Sequence, residues 1–295
     1  MTLTFKQRAL RTLARRHWLR GRDRVLRLFA HPDYHPSCPF ETDFFGLNYS
    51  GNLANFIDWT VFFYGGYALH ELRLLADLAA ALRARRGVVN FFDVGANIGH
   101  HSLFMSRHAD RVFSFEPFPV VFREMQRKLS HAGVSNVTAF PVALGNREET
   151  AVFHPPTGAN QGTGTLGEIL PDNVDAENIS VQVVRGDHFL AANRLPPISL
   201  LKMDVEGFEE QALEGLQETL QRDRPPLLIE IQPEGRTATG QNSHMRNLLY
   251  PDHLLFRVED LRGNYRLSPC TLSQAEEALV LPAELAGIVP GALIA

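Results

Sequence analysis

Four acids close four short apolar runs in this chain, and their spacing is what could do chemistry. The runs are Phe91-Phe92-Asp93, Phe113-Ser114-Phe115-Glu116, Leu200-Leu201-Lys202-Met203-Asp204 and Leu228-Ile229-Glu230. If the runs are parallel strands, Asp93, Glu116, Asp204 and Glu230 converge, because ligands in open α/β sheets sit beyond the carboxyl ends of strands. After Asp93 comes a glycine-spaced turn, Gly95-Ala96-Asn97-Ile98-Gly99, and then helix-like text from His100 to His108. A strand feeding such a turn and a helix presents unpaired backbone N–H groups and a positive helix end. Glycine there lets a ligand approach the main chain with no Cβ in the way. Glu116, 23 residues after Asp93, is placed to accept both hydroxyls of a ribose. Together these residues describe a nucleoside-binding site at the start of an α/β sheet.

The identity of the nucleoside follows from the turn. A dinucleotide fingerprint reads G-x-G-x-x-G, but here Asn97 stands where the middle glycine would admit a pyrophosphate. Asp93, two residues before Gly95, would repel a pyrophosphate, yet it can hydrogen-bond to the ammonium of an amino-acid group. S-adenosylmethionine carries that group and no phosphate, so D-x-G-x-N-x-G favours it over NAD. A βα turn with no ligand is the plain alternative.

At this point the chain resembles a known family. DVGANIG, FEPFP, Val142-Ala143-Leu144-Gly145, Leu201-Lys202-Met203-Asp204-Val205-Glu206-Gly207 and Leu228-Ile229-Glu230 are similar, in order and spacing, to the FkbM-type S-adenosylmethionine-dependent methyltransferases. The likeness covers residues 88 to about 232, and Phe44-Phe45-Gly46-Leu47 with Tyr49, Gly51 and Asn52 extends it upstream. His100-His101 departs from the family, which often has an aromatic pair there. The resemblance implies a class I, Rossmann-like α/β fold with a seven-stranded sheet, parallel except for one antiparallel strand from a terminal hairpin. It implies methyl transfer to a hydroxyl on a sugar or small secondary metabolite, with the backbone of Ala143 near the adenine. An N- or carboxyl-methyltransferase is the alternative within the family. A non-catalytic S-adenosylmethionine-binding module and a nicotinamide dehydrogenase are the alternatives outside it.

Composition is compatible with this. At 44% apolar and 21% charged residues the chain is an ordinary globule, and 295 residues suit one domain with an extension. Cys38 and Cys270 have no paired spacing, so neither a disulfide framework nor a zinc motif is expected, and a cytoplasmic setting is the default. No apolar run reaches the roughly 18 residues of a membrane span, and no signal-peptide core is evident. Charge is uneven. Residues 1–30 hold nine Lys or Arg and one acid, Asp23, a formal +8 that leaves −12 on the rest of a chain of net −4. Leu3, Leu10, Leu13, Trp18, Val25, Leu28 and Phe29 recur at near-helical spacing among these arginines. A basic amphipathic helix is expected, packed on the acidic core, with peripheral contact to an anionic membrane as the alternative. No recognition motif accompanies the arginines, so nucleic acid is not an expected partner.

The elements that must position the acids can be read in order. Residues 1–85 are expected to form the basic helix and an aromatic cap, 86–270 the cofactor-binding domain and 271–295 a C-terminal extension. A proline-punctuated linker at 31–39 precedes ten aromatics in residues 40–67, which glycines break into short extended pieces. Ala68 to Arg86 reads as a helix. Strands near 88–94, 111–116 and 137–142 alternate with helices near 99–108 and 119–132, the pattern of a parallel sheet covered on both faces. Gly- and Pro-rich residues 155–175 read as a lid-like loop. A strand at 179–184, strands ending at Asp204 and near 227–231, a helix near 208–221, and a hairpin around Arg262-Gly263-Asn264 complete the series.

In this frame Asp93, Gly95, Ala96, Asn97 and Gly99 would hold the methionine part of the cofactor. Glu116 and Pro117 would frame the ribose, and Phe118 would cover the adenine. Asp204 and Glu206 are the acids best placed to take a proton from an attacking hydroxyl. Lys202 would orient Asp204 or hold the acceptor. His100 and His101 are candidate bases, their alternatives being solvent-facing or capping roles. No metal is expected, since Asp204 and Glu230 lack an evident third ligand. The acceptor is expected to be a small molecule or glycan.

Overall fold

The computed structural model describes residues 5–16, 21–31, 35–155, 164, 179–231 and 241–289. The expected lid at 155–175 lies almost wholly outside the described residues. At the N-terminus two short helices replace the single expected one: α1 (Phe5–Ala14) and α2 (Arg22–Phe29). Leu10, Ala14, Leu26 and Ala30 are buried in the main core, while Leu28 (77% exposed), Phe29 (54%) and Val25 (38%) face outward beside exposed Arg24 and Arg27. The Trp59 indole N–H donates to Ala30 O at 2.9 Å and the Tyr64 hydroxyl to Asp23 at 2.7 Å, tying this arm to the cap.

The aromatic segment forms a hairpin, β1 (Pro39–Phe44) and β2 (Leu47–Asn52), followed by helix α3 (Phe56–Tyr64). The helix was not expected. Asn55 caps it by accepting from Asp58 N at 3.1 Å, and Gly65 in the left-handed region ends it. Phe56–Tyr64 is apolar nearly all round, and Ile57 to Phe63 are buried, so packing overrides the β preference of its aromatics. α4 (Leu69–Arg86) then leads to the sheet.

The core elements in chain order are β3 (Asn90–Val94), α5 (His100–Met105), β4 (Arg111–Phe115), α6 (Pro119–Ala132) and β5 (Val137–Phe140), then β6 (Ala143–Gly145), β7 (Glu149–Phe153) and β8 (Ile179–Arg185). They continue through α7 (Gly186–Ala192), β9 (Leu200–Met203), α8 (Glu209–Gly215), α9 (Gln217–Asp223), β10 (Leu227–Glu230), α10 (Gln241–Leu248), β11 (His253–Leu261), β12 (Asn264–Pro269) and β13 (Glu277–Pro282). The large sheet has the order β12-β11-β13-β10-β9-β3-β4-β5, with β10, β9, β3, β4 and β5 mutually parallel. This is the expected class I arrangement, with two differences. The sheet carries eight strands rather than seven, because β12 pairs on the outside of β11 and adds an edge. The antiparallel strand beside β10 is not from the hairpin but is β13, from the stretch expected to be an extension. Four of its six residues, Ala278 to Leu281, are fully buried, as a continuous apolar run in a covered central strand should be.

Apolar clusters fill both faces of this sheet. Chain order reverses between β3 and β9, which makes the crevice at their carboxyl ends the topological switch point. β6, β8 and β7 form a separate three-stranded sheet beside that crevice.

Candidate active site

Local sequence brings the turn after β3 to the switch point, but its backbone differs from the expectation of unpaired donors. Gly95 and Ala96 both donate to Phe115 O (3.0 and 2.9 Å), Asn97 N to Glu116 Oε2 (2.9 Å), Ile98 N to Asn97 Oδ1 (2.7 Å) and Gly99 N to Ala96 O (2.9 Å). All five turn N–H groups are spent inside the protein, so none is left to cradle a pyrophosphate. Gly95 is also required by the protein itself: at φ 82° a Cβ there would lie 1.7 Å from the Asp204 carbonyl oxygen. A Cβ at Gly99 would meet Met125 Cγ at 2.6 Å.

A cavity of about 320 Å³ opens over this turn. Gly95, Ala96, Asn97, Glu116, Pro117, Phe118, Ala143, Lys202, Asp204, Glu206, His100 and His101 line it, so twelve of the fourteen residues singled out from sequence converge. Asp93 and Gly99 do not reach its surface. Asp93 is fully buried beneath it, where Oδ2 accepts from Ser102 Oγ at 2.5 Å and Oδ1 has no protein partner.

The two ends of the cavity differ. At one end Ile57, Phe118, Val121 and Phe153 belong to one apolar cluster, with the Phe118 and Phe153 rings 5.1 Å apart. Ile57 comes from the cap and Phe153 from β7, and only folding brings them to Phe118. Beside this slot Glu116, 7% exposed, accepts from Asn97 N through one oxygen and from Phe118 N (2.8 Å) through the other. Burial pushes its carboxyl up to about 7, against the pull of those two hydrogen bonds and with help from Asp93 and Asp204.

The opposite end is charged. Lys202 Nζ donates to Asp204 Oδ2 at 2.9 Å, and the Asp204 side chain is 31% exposed to the cavity. Burial works against the Asp204 charge, but the Lys202 ammonium outweighs it and holds this carboxyl below its usual range. Glu230 shares a hydrogen bond with Asp204 and is raised to about 10, by burial first and then by the Asp204 carboxylate. The two carboxyls therefore titrate as a coupled pair, with Asp204 held down and Glu230 held up. Glu206, at φ 50°, joins them, and ligand oxygens of Asp204, Glu206 and Glu230 lie within 4.8 Å of one another. Glu206 thus supplies the third oxygen ligand that the sequence did not make evident beside Asp204 and Glu230.

Neither histidine faces solvent. His100 is 2% exposed and His101 7%. His100 Nε2 lies 3.2 Å from Tyr67 N and 3.1 Å from Tyr67 O, and burial, followed by the charges of His101, Lys128 and Lys202, pushes its imidazole well below its usual value. His100 is thus neutral and weakly basic. His101 Nε2 stands 3.2 Å from Glu71 Oε2, within ion-pair range though not aligned as a hydrogen bond. Tyr67, just before α4, was legible only as one of the ten cap aromatics, and Glu71, in the first turn of α4, carried no sequence signal for this site. Their place here depends on how α4 docks.

Residues 93–266 match the model described as the Methyltransferase FkbM domain. A hexuronic acid methyltransferase of Haloferax volcanii is 30% identical over 131 residues, 44% of this chain and 51% of that protein. A 31-O-demethyl-FK506 methyltransferase of Streptomyces tacrolimicus is 30% identical over 157 residues, 43% of this chain and 59% of that protein. The chain thus matches between about half and three fifths of the length of these relatives. The crystal structure of an FkbM methyltransferase from Methylobacillus flagellatus superposes with a TM-score of 0.43 at 17% identity, covering 65% of this chain and 43% of that one.

Proposed function

This chain belongs to the FkbM methyltransferase domain family, and from that premise we propose that it transfers the methyl group of S-adenosylmethionine to a hydroxyl oxygen of a sugar or other small metabolite. The observation that carries the reading is Glu116. Its two oxygens are each fixed by one backbone N–H, between an apolar slot and a carboxylate–lysine group. Each oxygen keeps a lone pair, which suits a pair of ribose hydroxyls. The slot around Phe118 and Phe153 suits an adenine, and the buried Asp93 Oδ1 beneath the turn suits a water that bridges it to the methionine end. The paired turn N–H groups argue against a dinucleotide.

Bound there, S-adenosylmethionine supplies an electrophilic methyl and its own leaving group. This chain must place the acceptor oxygen in line and receive its proton. Asp204 is ionised and faces the cavity, and Lys202 fixes its direction. The Asp204–Glu230 pair would receive the proton that the acceptor hydroxyl gives up on methylation. The name of one relative, a 31-O-demethyl-FK506 methyltransferase, supports oxygen as the target, and that of another, a hexuronic acid methyltransferase, supports a sugar-like acceptor. Calorimetry with S-adenosylmethionine, S-adenosylhomocysteine and NAD, then labelled-methyl transfer to an acceptor panel, tests this. NAD binding alone sinks it, and cofactor binding without turnover on any acceptor leaves a binding module.

The N-terminal arm suits a second contact. It is anchored through Leu10, Ala14, Leu26 and Ala30, yet presents Leu28 and Phe29 among exposed arginines. This arrangement supports peripheral binding to an anionic lipid surface. No helix among the described residues is long and apolar enough to cross a membrane.

A further inference from the structure

Tyr67 bridges the two ends of the cavity at Glu116. Its ring packs against the apolar cluster that includes Ile57, Ile98 and Phe118, and meets the Phe56 ring edge-on with centroids 6.0 Å apart. Its hydroxyl lies in the field of the charged end: burial first, then the carboxylates of Glu71 and Asp204, raise the phenol above its ordinary value. That hydroxyl has no hydrogen-bond partner among the described residues, where only the backbone of Tyr67 is bonded, to His100. The other four described tyrosines, Tyr49, Tyr64, Tyr250 and Tyr265, each donate to an oxygen of the protein. A tyrosine hydroxyl left over in a cavity wall is a binding group in search of a ligand. We infer that the Tyr67 hydroxyl positions the acceptor, donating to the oxygen of the acceptor hydroxyl while that hydroxyl donates to Asp204. The inference rests on the methyltransferase reading above.

The backbone holds Tyr67 as a binding group must be held. His100, on the helix that follows the glycine turn, has Nε2 3.1 Å from Tyr67 O and 3.2 Å from Tyr67 N. Its Nδ1 is buried without a partner. A bare acceptor costs less there than a bare N–H, so the proton sits on Nε2 and is donated to Tyr67 O. His100 thereby ties Tyr67 to the same helix that carries the cofactor turn. The next residue, Ala68, is left-handed at φ 44° and ψ 51° and gives α4 no side-chain cap. Such backbone strain survives only where surrounding contacts enforce it, and it gathers at functional sites. Tyr67 also lines both neighbouring cavities, of about 200 and 390 Å³, so it stands where space opens beyond the cofactor site.

The pairing of a phenol with a carboxylate selects the kind of group that is methylated. A hydroxyl has one proton, for Asp204, and two lone pairs, one to accept from Tyr67 and one left for attack. An ammonium has no lone pair to offer Tyr67 and is not received in this way. Because its phenol is raised, Tyr67 keeps its own proton and donates; Asp204 takes the proton of the acceptor. Fixing the acceptor oxygen from two sides orients it for displacement.

The test needs no knowledge of the natural acceptor. Calorimetry on the full chain compares S-adenosylhomocysteine with two analogues of S-adenosylmethionine in which nitrogen replaces sulfur. One carries 2-hydroxyethyl in place of the methyl and so brings a hydroxyl into the acceptor space; the other carries propyl. Tyr67→Phe removes only the hydroxyl and keeps the ring contacts with Phe56 and His100. It should weaken the hydroxyethyl analogue about three- to tenfold, the scale of one neutral hydrogen bond. The propyl analogue and S-adenosylhomocysteine should stay within about twofold, a change too small for such a bond, and the melting temperature should not move. A hydroxyethyl analogue bound equally by both proteins overturns the inference. So does an equal loss for both analogues, or a lower melting temperature, since each gives the hydroxyl a different task. The two readings fail differently. If S-adenosylhomocysteine does not bind the wild-type chain, the methyltransferase reading falls; if it binds and the hydroxyethyl analogue ignores the substitution, only the role of Tyr67 falls.

Discussion

Cofactor affinity should depend on pH through Glu116. In the cofactor-free protein this carboxyl is raised from an ordinary 4.5 to about 7, so below pH 7 it is mostly protonated. Ribose hydroxyls donating to it favour the ionised form. Charge-assisted hydrogen bonds of this kind contribute about 1.5–3 kcal/mol, which lowers the bound carboxyl by about one to two pH units. Binding then expels a proton, and affinity for S-adenosylhomocysteine should rise about tenfold per unit up to pH 7 and level off above it. The total gain is about 10- to 100-fold. Stability of the cofactor-free protein runs the other way. The folded state holds this proton more tightly than the unfolded one, so the residue costs nothing below pH 4.5 and destabilises by about 3 kcal/mol once pH exceeds 7. Titration calorimetry at pH 5, 6, 7 and 8, in buffers of different ionisation enthalpy, counts the proton directly. Glu116→Gln should flatten the profile and lose most of the affinity. A flat wild-type profile, proton uptake on binding, or a Gln variant that binds like the parent would each refute the reasoning.

Four other outcomes are expected. Asp204→Asn should keep cofactor affinity within threefold and lower turnover by about 10²–10⁴-fold, as for a lost general base; full activity would move attention to His100 and His101. In Gly95→Ala the new Cβ would lie 1.7 Å from the Asp204 carbonyl at φ 82°, so thermal melting should drop and cofactor binding vanish, and a variant as stable as the parent would contradict the close approach. Lys128, 2% exposed, donates to Asp58 Oδ1 and Ser50 O, both at 2.7 Å, and pins the hairpin and α3 to α6. Urea unfolding of Lys128→Met should therefore show a loss of about 3–5 kcal/mol, because the Asp58 carboxylate keeps its hydrogen bonds from Tyr49 and Asn52 but loses its buried counter-charge. Replacing both Leu28 and Phe29 by Asp should abolish binding to anionic vesicles at unchanged melting temperature. The wild-type attraction should fade with salt, since screening acts over about 10 Å at 0.1 M, and salt-insensitive binding would exclude the arginines.

Much of this site is written in short-range pattern. Asp93 to Gly99, Glu116 and Asp204 each follow an apolar run that does become a parallel strand, because burial on both faces selects such runs directly. Helix Pro119–Ala132 was expected at those bounds, since proline starts it and Gly133 ends it. Asn97 in place of glycine already disfavours a pyrophosphate. Tertiary structure decided the rest. Whether the turn's N–H groups were free depended on Phe115 O and the Glu116 carboxylate, which arrive from the neighbouring strand. The path of Glu277–Pro282 into the sheet depended on an open edge at β10 and on the hairpin that follows, not on its own six residues. The coupling of Asp204 to Glu230, and the meeting of His70 and Glu71 with Glu277, join residues from 26 to more than 200 positions apart. Residue type alone sets an acid's ordinary affinity for a proton. Its burial and the charges beside it are properties of the folded chain, and those determine what each of these acids can do.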